Sequence, residues 1–444
     1  MAIRTGLGHR IAALLNDRAA VICAPCDCEF GRREVDYRDG DDPWAGVKLR
    51  VAGGEERHAL CRGDRFEGGV AYASKAFLCT AMARLVAEEG LDLDVATGGE
   101  LHVARHAGFP AGRIVFHGNN KSVAELRAAL AAGVGRIVVD SFDELDRLER
   151  CTREGGHAPA RVLVRVTPGV EAHTHEYIET GAEDSKFGFG LLSGDASAAV
   201  ARVVESDALV LAGLHCHIGS QVFRLDSFGA GVDRMVGLML AIEQDTGVTI
   251  EELSVGGGLG VRYLASDEGP SIAQYAAALH EMLAKAQAAH GVRSRPRLTV
   301  EPGRSIAAPA GITLYTVGTI KEIPGVRTYV AVDGGMSDNL RPVTYGARYE
   351  AFLPARVRAP RDRVVTVAGK HCEQGDVLVR DAHLPADLAV GDVLATPVTG
   401  AYAHSMASNY NKVARPAVVF VRDGSARVVV RREGPEDLVR LDVG

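Results

Sequence analysis

The sequence predicts an α/β chain: a (β/α)8 TIM barrel followed by a mostly antiparallel β domain. Two observations carry this. From Gly69 to about Ala307, apolar runs with strand character alternate with segments of helical period, the mark of parallel βαβ units. After Ala307, strand-like runs punctuated by Gly, Pro and Asp follow one another with no long helical segment between them. The resulting division is residues 1–66, an N-terminal segment that can belong to the β domain; residues 67–307, the barrel; and residues 308–444, the β domain.

Residues 1–66 show little period. A short helix is expected at 10–15, followed by Cys23, Cys26 and Cys28 in a polar stretch. A CxxC pair needs a second pair or two histidines to close a zinc site, and only Cys61 lies nearby, so no metal is expected. The barrel strands are expected at 70–74, 91–97, 113–117, 136–140, 161–167, 210–217, 252–255 and 298–301. Helices are expected between most of them, at 81–89, 100–106, 123–132, 142–150, 196–204, 228–243 and 272–290. Strands of the second domain are expected at 312–317, 328–332, 363–367, 376–379, 393–396, 417–421 and 426–431.

With 444 residues and 47% hydrophobic content the chain can bury a large core. A net charge of −7 argues against nucleic acid as partner. No run reaches the ~18 apolar residues of a membrane span, and the first residues lack a signal-peptide core. Its scattered cysteines are no disulfide framework. The expectation is a reduced, cytoplasmic protein.

Polar signatures stand where the barrel strands end. The first strand stops at Lys75, and the second contains Asp94. The third runs into His117-Gly118-Asn119-Asn120-Lys121 and the sixth into His217-Ile218-Gly219-Ser220-Gln221. The seventh leads to Gly256-Gly257-Gly258 and the eighth to Glu301-Pro302-Gly303-Arg304. In a (β/α)8 barrel these ends carry the chemistry, and the last two loops are a common phosphate site. Successive glycines let backbone N–H groups approach an anion, with Ser220 and Arg304 as further donors. A histidine ring can stack on a flat heterocycle, a carboxylate can hold a pyridine nitrogen protonated, and a lysine can bond covalently to an aldehyde. The set points to pyridoxal 5'-phosphate. His215 shares a strand face with His217 but stands one step further in, and reads as structural.

These motifs resemble the fold-type III pyridoxal-phosphate decarboxylases, most closely the branch acting on meso-2,6-diaminopimelate. Further support comes from Glu171-Ala172-His173-Thr174-His175-Glu176-Tyr177-Ile178, Asp333-Gly334-Gly335-Met336-Ser337-Asp338-Asn339 with Arg341, Gly346-Ala347-Arg348-Tyr349, Gly369-Lys370-His371-Cys372-Glu373 and Thr399-Gly400-Ala401-Tyr402. The resemblance implies that Lys75 holds the cofactor, His217 stacks on its ring, and Glu301 pairs with its nitrogen. Ser220, Gly258, Arg304 and Tyr402 hold its phosphate region, and Asp94 belongs to the same cofactor site. Arg304, Arg341, Tyr345, Glu373 and Tyr402 contact substrate, and Cys372 protonates the product. It further implies a homodimer with active sites shared between subunits, and release of CO2 from the substrate to leave L-lysine, the last step of lysine biosynthesis. A decarboxylase of ornithine, arginine or carboxynorspermidine is the alternative within the fold type, and a noncatalytic cofactor carrier is the alternative outside catalysis. Gln374 stands where the family usually has serine. The extended segment that precedes the barrel in the family is not legible before Gly69. Divergence and a shifted reading frame over 23–66 both account for that.

If Lys75 carries the cofactor, the purified protein is yellow, and borohydride fixes the chromophore to the peptide containing Lys75. Label recovered on Lys121 or Lys186 instead would overturn the assignment.

Overall fold

The computed structural model describes residues 19–23, 68–170, 184–422 and 425–444. The expected helix at 10–15, Cys26 and Cys28, the stretch 24–66 and the motif at 171–178 lie outside the described residues. In chain order come β1 (Ala19–Cys23), β2 (Gly69–Ala73), α1 (Thr80–Glu88), β3 (Asp92–Val95), α2 (Gly98–His106), β4 (Ile114–Phe116), α3 (Val123–Ala132), β5 (Arg136–Val139), α4 (Phe142–Glu154), β6 (Ala160–Thr167) and β7 (Phe189–Gly190). They continue with α5 (Asp195–Glu205), β8 (Leu209–Cys216), α6 (Leu225–Thr246), β9 (Glu252–Ser254), α7 (Ile272–His290) and β10 (Arg297–Val300). The remaining strands are β11 (Gly311–Ile323), β12 (Arg327–Val332), β13 (Arg363–Ala368), β14 (Val377–Leu384), β15 (Val393–Pro397), β16 (Ala417–Arg422) and β17 (Ser425–Val430).

The chain divides into two compact units: the described residues of Glu55–Val261 with Glu268–Ser305, and those of Met1–Gly54, Arg262–Asp267 and Ile306–Gly444.

In the first unit each barrel strand pairs in parallel with its neighbours, in the order β2-β3-β4-β5-β6-β8-β9-β10. The pairing of β10 with β2 closes the ring, and two-residue β7 attaches to β6. Closure buries both faces, so the strands read as near-continuous apolar runs. Ala71, Val115, Val138, Leu163 and Ala212 from five of the strands form one cluster inside. Two alanines among larger residues let such a layer interdigitate. On β8, a Cβ at Gly213 would stand 2.0 Å from the Glu252 carbonyl oxygen, so only glycine lets β8 and β9 approach this closely.

Helix ends are set by sequence. Ser122 with Glu125 and Ser271 with Gln274 form capping boxes that start α3 and α7. Gly133, Gly247 and Gly291 end α3, α6 and α7 in left-handed conformation.

The second unit is an eight-stranded, mostly antiparallel sheet of order β14-β13-β12-β11-β1-β16-β17, with β15 on β11. Leu314, Phe352, Ala395, Val419 and Val421 form a core cluster in it. One element was not anticipated from sequence. β1 lies inside the sheet, antiparallel to β11 and parallel to β16. Its five residues, Ala-Ala-Val-Ile-Cys, are too few to display a period, and pairing on both sides is what makes them a strand.

Candidate active site

Lys75 follows β2 in a one-turn helix, with Ser74 and Ala76 buried around it and its own side chain exposed. Tyr72, fully buried, donates its hydroxyl to the Phe77 carbonyl 2.8 Å away and so braces the turn that presents the lysine. The turn after β10 presses on the same place. A Cβ at Gly303 would meet the Ala73 carbonyl at 2.9 Å, which is why a glycine follows Glu301-Pro302.

The neighbouring strand ends deliver a buried charged cluster. Glu301, 6% exposed, receives Ser254 Oγ at 3.0 Å on Oε1 and faces His215 Nε2 at 3.0 Å on Oε2. His117 Nε2 lies 3.3 Å from Glu301 Oε1 and 3.8 Å from Asp94 Oδ1. The rings of His117 and His215 meet edge to face, with centroids 5.0 Å apart. Burial alone would drive Glu301 towards its neutral form. His117 and His215 outweigh it and hold the carboxyl well below the usual range. Asp94 shows the opposite result: burial pushes it up to about 6, and the attraction of His117 only partly offsets this. Burial likewise lowers His215 and His217, Lys75 adding to the effect on His217. For His117 burial is outweighed by Asp94 and Glu301, and its pKa rises.

The glycine-rich loop follows β9. Gly256 and Gly258 have φ of 67° and 108°, the left-handed region that favours glycine. A Cβ at Gly257 would stand 2.3 Å from the Glu301 carbonyl oxygen, and one at Gly258 2.3 Å from that of Gly219. Three side-chain-free residues therefore wedge between two other strand ends. Arg304 Nη2 donates to Ser220 Oγ at 3.0 Å, joining two of the expected anion ligands. Thus the structure brings Asp94 and Glu301 together through His117, and Ser220 together with Arg304. Lys75, His217 and Gly258 occupy the same series of strand ends.

The remaining predicted residues belong to the second unit. Arg341 is buried; its guanidinium lies 4.5 Å from the Tyr263 ring centroid, and Nη1 donates to Tyr349 Oη at 2.6 Å. Tyr345 ends the short helix Arg341–Tyr345 and is half-buried. Tyr402, also half-buried, is held at a φ of 59°, four residues after Val398 at 60°. Positive φ is costly for both, so the surrounding structure imposes this turn. Cys372 and Glu373 are exposed in the loop between β13 and β14.

Several participants escaped sequence reading. His215 read as structural, yet its ring is one of the two that keep Glu301 ionised. Arg165 is a buried cation inside the apolar strand β6, 3.9 Å from Asp140 and stacked 4.3 Å from the Phe187 ring centroid. A charge inside the apolar run 162–166 of a barrel strand is the signal that could have found it. Lys121 is fully buried and spends its ammonium on Glu144 at 2.7 Å and on the carbonyls of Gly118 at 2.6 Å and Val138 at 2.8 Å. It ties the loop that begins with His117 to β5 and α4.

These groups fit pyridoxal phosphate. Its ring nitrogen needs an anion, its phosphate needs close N–H donors and an arginine, and its aldehyde needs an amine; Glu301, the Gly256–Gly258 loop with Ser220 and Arg304, and Lys75 meet those needs. His117, His215 and Glu301 also place three possible metal-ligand atoms within 4.8 Å of one another, but the contacts among them already satisfy the carboxylate.

Comparison with known proteins agrees. The family described as "Pyridoxal-dependent decarboxylase, pyridoxal binding domain" matches residues 55–308. Diaminopimelate decarboxylase of Mycobacterium tuberculosis (strain ATCC 25618 / H37Rv) is 50% identical over 410 residues, 90% of this chain and 91% of that protein. The Bacillus subtilis (strain 168) protein of the same name is 50% identical over 374 residues, 84% of each. Among solved structures, diaminopimelate decarboxylase from M. jannaschii in co-complex with L-lysine superposes with a TM-score of 0.85 at 31% identity, covering 98% of this chain and 94% of that one.

Removing Lys121 tests the buried pair. In Lys121→Met, Glu144 keeps its burial, which already raises its pKa, and loses its cation. A folded-state pKa above the unfolded value is a benefit at low pH that is lost as pH rises. We therefore expect a loss of roughly 3–5 kcal/mol at pH 8 and a clearly smaller one at pH 5, read by urea unfolding. An equal loss at both pH values would show that Glu144 does not drive it.

Proposed function

Because this chain belongs to the diaminopimelate decarboxylase family of pyridoxal-dependent decarboxylases, we propose that it releases CO2 from meso-2,6-diaminopimelate to form L-lysine. The observation that carries the chemistry is Glu301, buried yet kept ionised by two histidines. Pyridoxal 5'-phosphate, when bound, supplies the electron sink for the pair left behind by departing CO2.

The residues of this chain do the rest. Lys75 would hold the cofactor through its side-chain amine. Glu301 would accept a hydrogen bond from the ring nitrogen and so keep the sink strong, and Asp94 and His117 complete the surroundings of Glu301. His217, its basicity lowered by burial and by Lys75, offers a flat uncharged face. Ser220, Gly258, Arg304 and Tyr402 hold the phosphate region. Arg304, Arg341, Tyr345 and Tyr402 bind substrate carboxylate, with Glu373 taking the distal ammonium. Cys372 returns a proton to the α-carbon, taking the place of the lost CO2. Residues 67–307 act as the cofactor domain and residues 308–444, with the N-terminal segment, as the substrate domain. The working form is a cytoplasmic homodimer whose sites combine residues of both subunits; among the described residues no helix is long and apolar enough to cross a membrane.

The substrate has two amino-acid ends, so the far carboxylate is what separates it from lysine or ornithine. Arg341, buried against Tyr263 and Tyr349, would lose its ionic partner with those amines. A buried group left unpaired costs orders of magnitude in selectivity. CO2 release should be rapid with meso-diaminopimelate and weak with ornithine, arginine or lysine. Arg341→Ala should lower kcat/KM by about 100-fold or more, in line with ~3 kcal/mol for a lost charged contact, while leaving the cofactor spectrum unchanged. Preference for ornithine or arginine, or a harmless Arg341→Ala, would overturn the substrate and leave the cofactor reading intact.

Shared sites have a direct check. Lys75→Ala and Cys372→Ala, each reduced to a small residual rate alone, should recover part of the activity on mixing, because one site of a mixed dimer keeps both native residues. No recovery after demonstrated subunit exchange would exclude sharing.

A further inference from the structure

The loop between β13 and β14 exposes Cys372 and Glu373 and buries the residues on either side, His371 and Asp376. Asp376 is its hub. Its Oδ1 accepts the backbone N–H of Met336 at 2.7 Å, and its Oδ2 accepts the backbone N–H of His371 at 2.9 Å and faces His371 Nδ1 at 2.7 Å. A carboxylate already receiving two N–H groups has only acceptor capacity left for the ring, so Nδ1 carries the proton.

Two glycines make room for this hub. A Cβ at Gly369 would stand 2.0 Å from Asp376 Oδ2, and one at Gly335 2.5 Å from the same oxygen. Further ties surround the loop. Lys370 N–H donates to the Gly334 carbonyl at 2.9 Å, and Tyr410 stacks on His371 with centroids 5.7 Å apart and planes 7° from parallel. The Cys372 N–H itself donates to Asn411 Oδ1 at 2.9 Å. The loop is therefore pinned on both sides of an exposed thiol, and Gly335 and Gly369 are explained without contact to any ligand.

We infer that His371 and Asp376 are positioning residues for Cys372: their charge-assisted bond holds the loop backbone so that the thiol meets the α-carbon in one orientation. This rests on the proton-donating role proposed for Cys372. Proton transfer depends steeply on geometry, and a misplacement of about 1 Å can cost on the order of 100-fold in rate. Charge-assisted hydrogen bonds are the stronger kind, which suits one side-chain pair to hold a loop of exposed residues.

The test uses the holoenzyme and meso-diaminopimelate. His371→Leu removes the Nδ1 donor, while His371→Asn places an amide N–H near the same point. We expect His371→Leu to lower kcat by about 10- to 100-fold with the cofactor spectrum unchanged, and His371→Asn to restore most of it. In the background of Cys372→Ala, adding His371→Leu should cost nothing further, because the histidine acts through the cysteine. Hydrogen exchange gives an independent reading: the amides of Met336 and His371 should be protected in the wild type and exchange faster in His371→Leu. Wild-type turnover in His371→Leu, equal losses in the Leu and Asn variants, or losses that add to those of Cys372→Ala would overturn the inference. If His371→Leu does not fold, wild-type exchange decides, and unprotected Met336 and His371 amides would overturn it. A Cys372→Ala variant with full turnover would instead refute the role proposed for the cysteine, while exchange at Met336 and His371 would still report the pinned loop.

Discussion

A carboxylate kept ionised where almost no water reaches it is the constraint on which the first unit depends. Left alone, a buried glutamate takes up a proton, because the low dielectric penalises its charge. Glu301 avoids this because His215 and His117 approach its two oxygens and Ser254 donates to one of them. All four side chains hang from β4, β8, β9 and β10 or the residues just after them, so the charge state depends on closure of the ring. The same burial acts differently on Asp94, whose carboxyl rises to about 6. Two carboxylates near one histidine thus differ in pKa, shifted in opposite directions under the same burial because Glu301 has two histidines and Asp94 only one.

Around that centre the barrel uses backbone where side chains would obstruct. Gly257 and Gly258 lie against the carbonyls of Glu301 and Gly219, and Gly303 lies against Ala73 beside Lys75. These contacts tie the ends of β2, β8, β9 and β10 to one another without intervening side chains. Lys121 performs a related task from beneath: a fully buried ammonium, satisfied by Glu144 and two carbonyls, fixes the loop that starts at His117. The pair stabilises only as a pair, since either partner alone would be an unmatched charge in the core.

The second unit solves a different problem, holding polar groups in fixed directions. Arg341 is oriented by two tyrosines, and Tyr402 by a turn that forces positive φ on two non-glycine residues. Asp376 gathers the backbone around Cys372 in the same spirit. In each case the group that is held is separate from the groups that hold it.

Much of this was legible in the sequence. Periodicity located the eight barrel strands and seven helices, because closed parallel strands must be apolar on both faces and their helices on one. Lys75, Asp94, His217, Ser220, Gly258, Glu301 and Arg304 stood out because polar residues and a glycine run at successive strand ends have little reason to recur otherwise. Strand β1 did not, since five residues carry no period and their pairing with β11 and β16 spans some three hundred to four hundred positions. Nor could sequence assign His215 to Glu301 or Lys121 to Glu144, or show Asp376 receiving Met336. Residue type and spacing determine which chemistry is available and on which element it sits. Which side chains share a proton, and which charges survive burial, depend on distances between strands far apart in the chain, and only tertiary closure sets those.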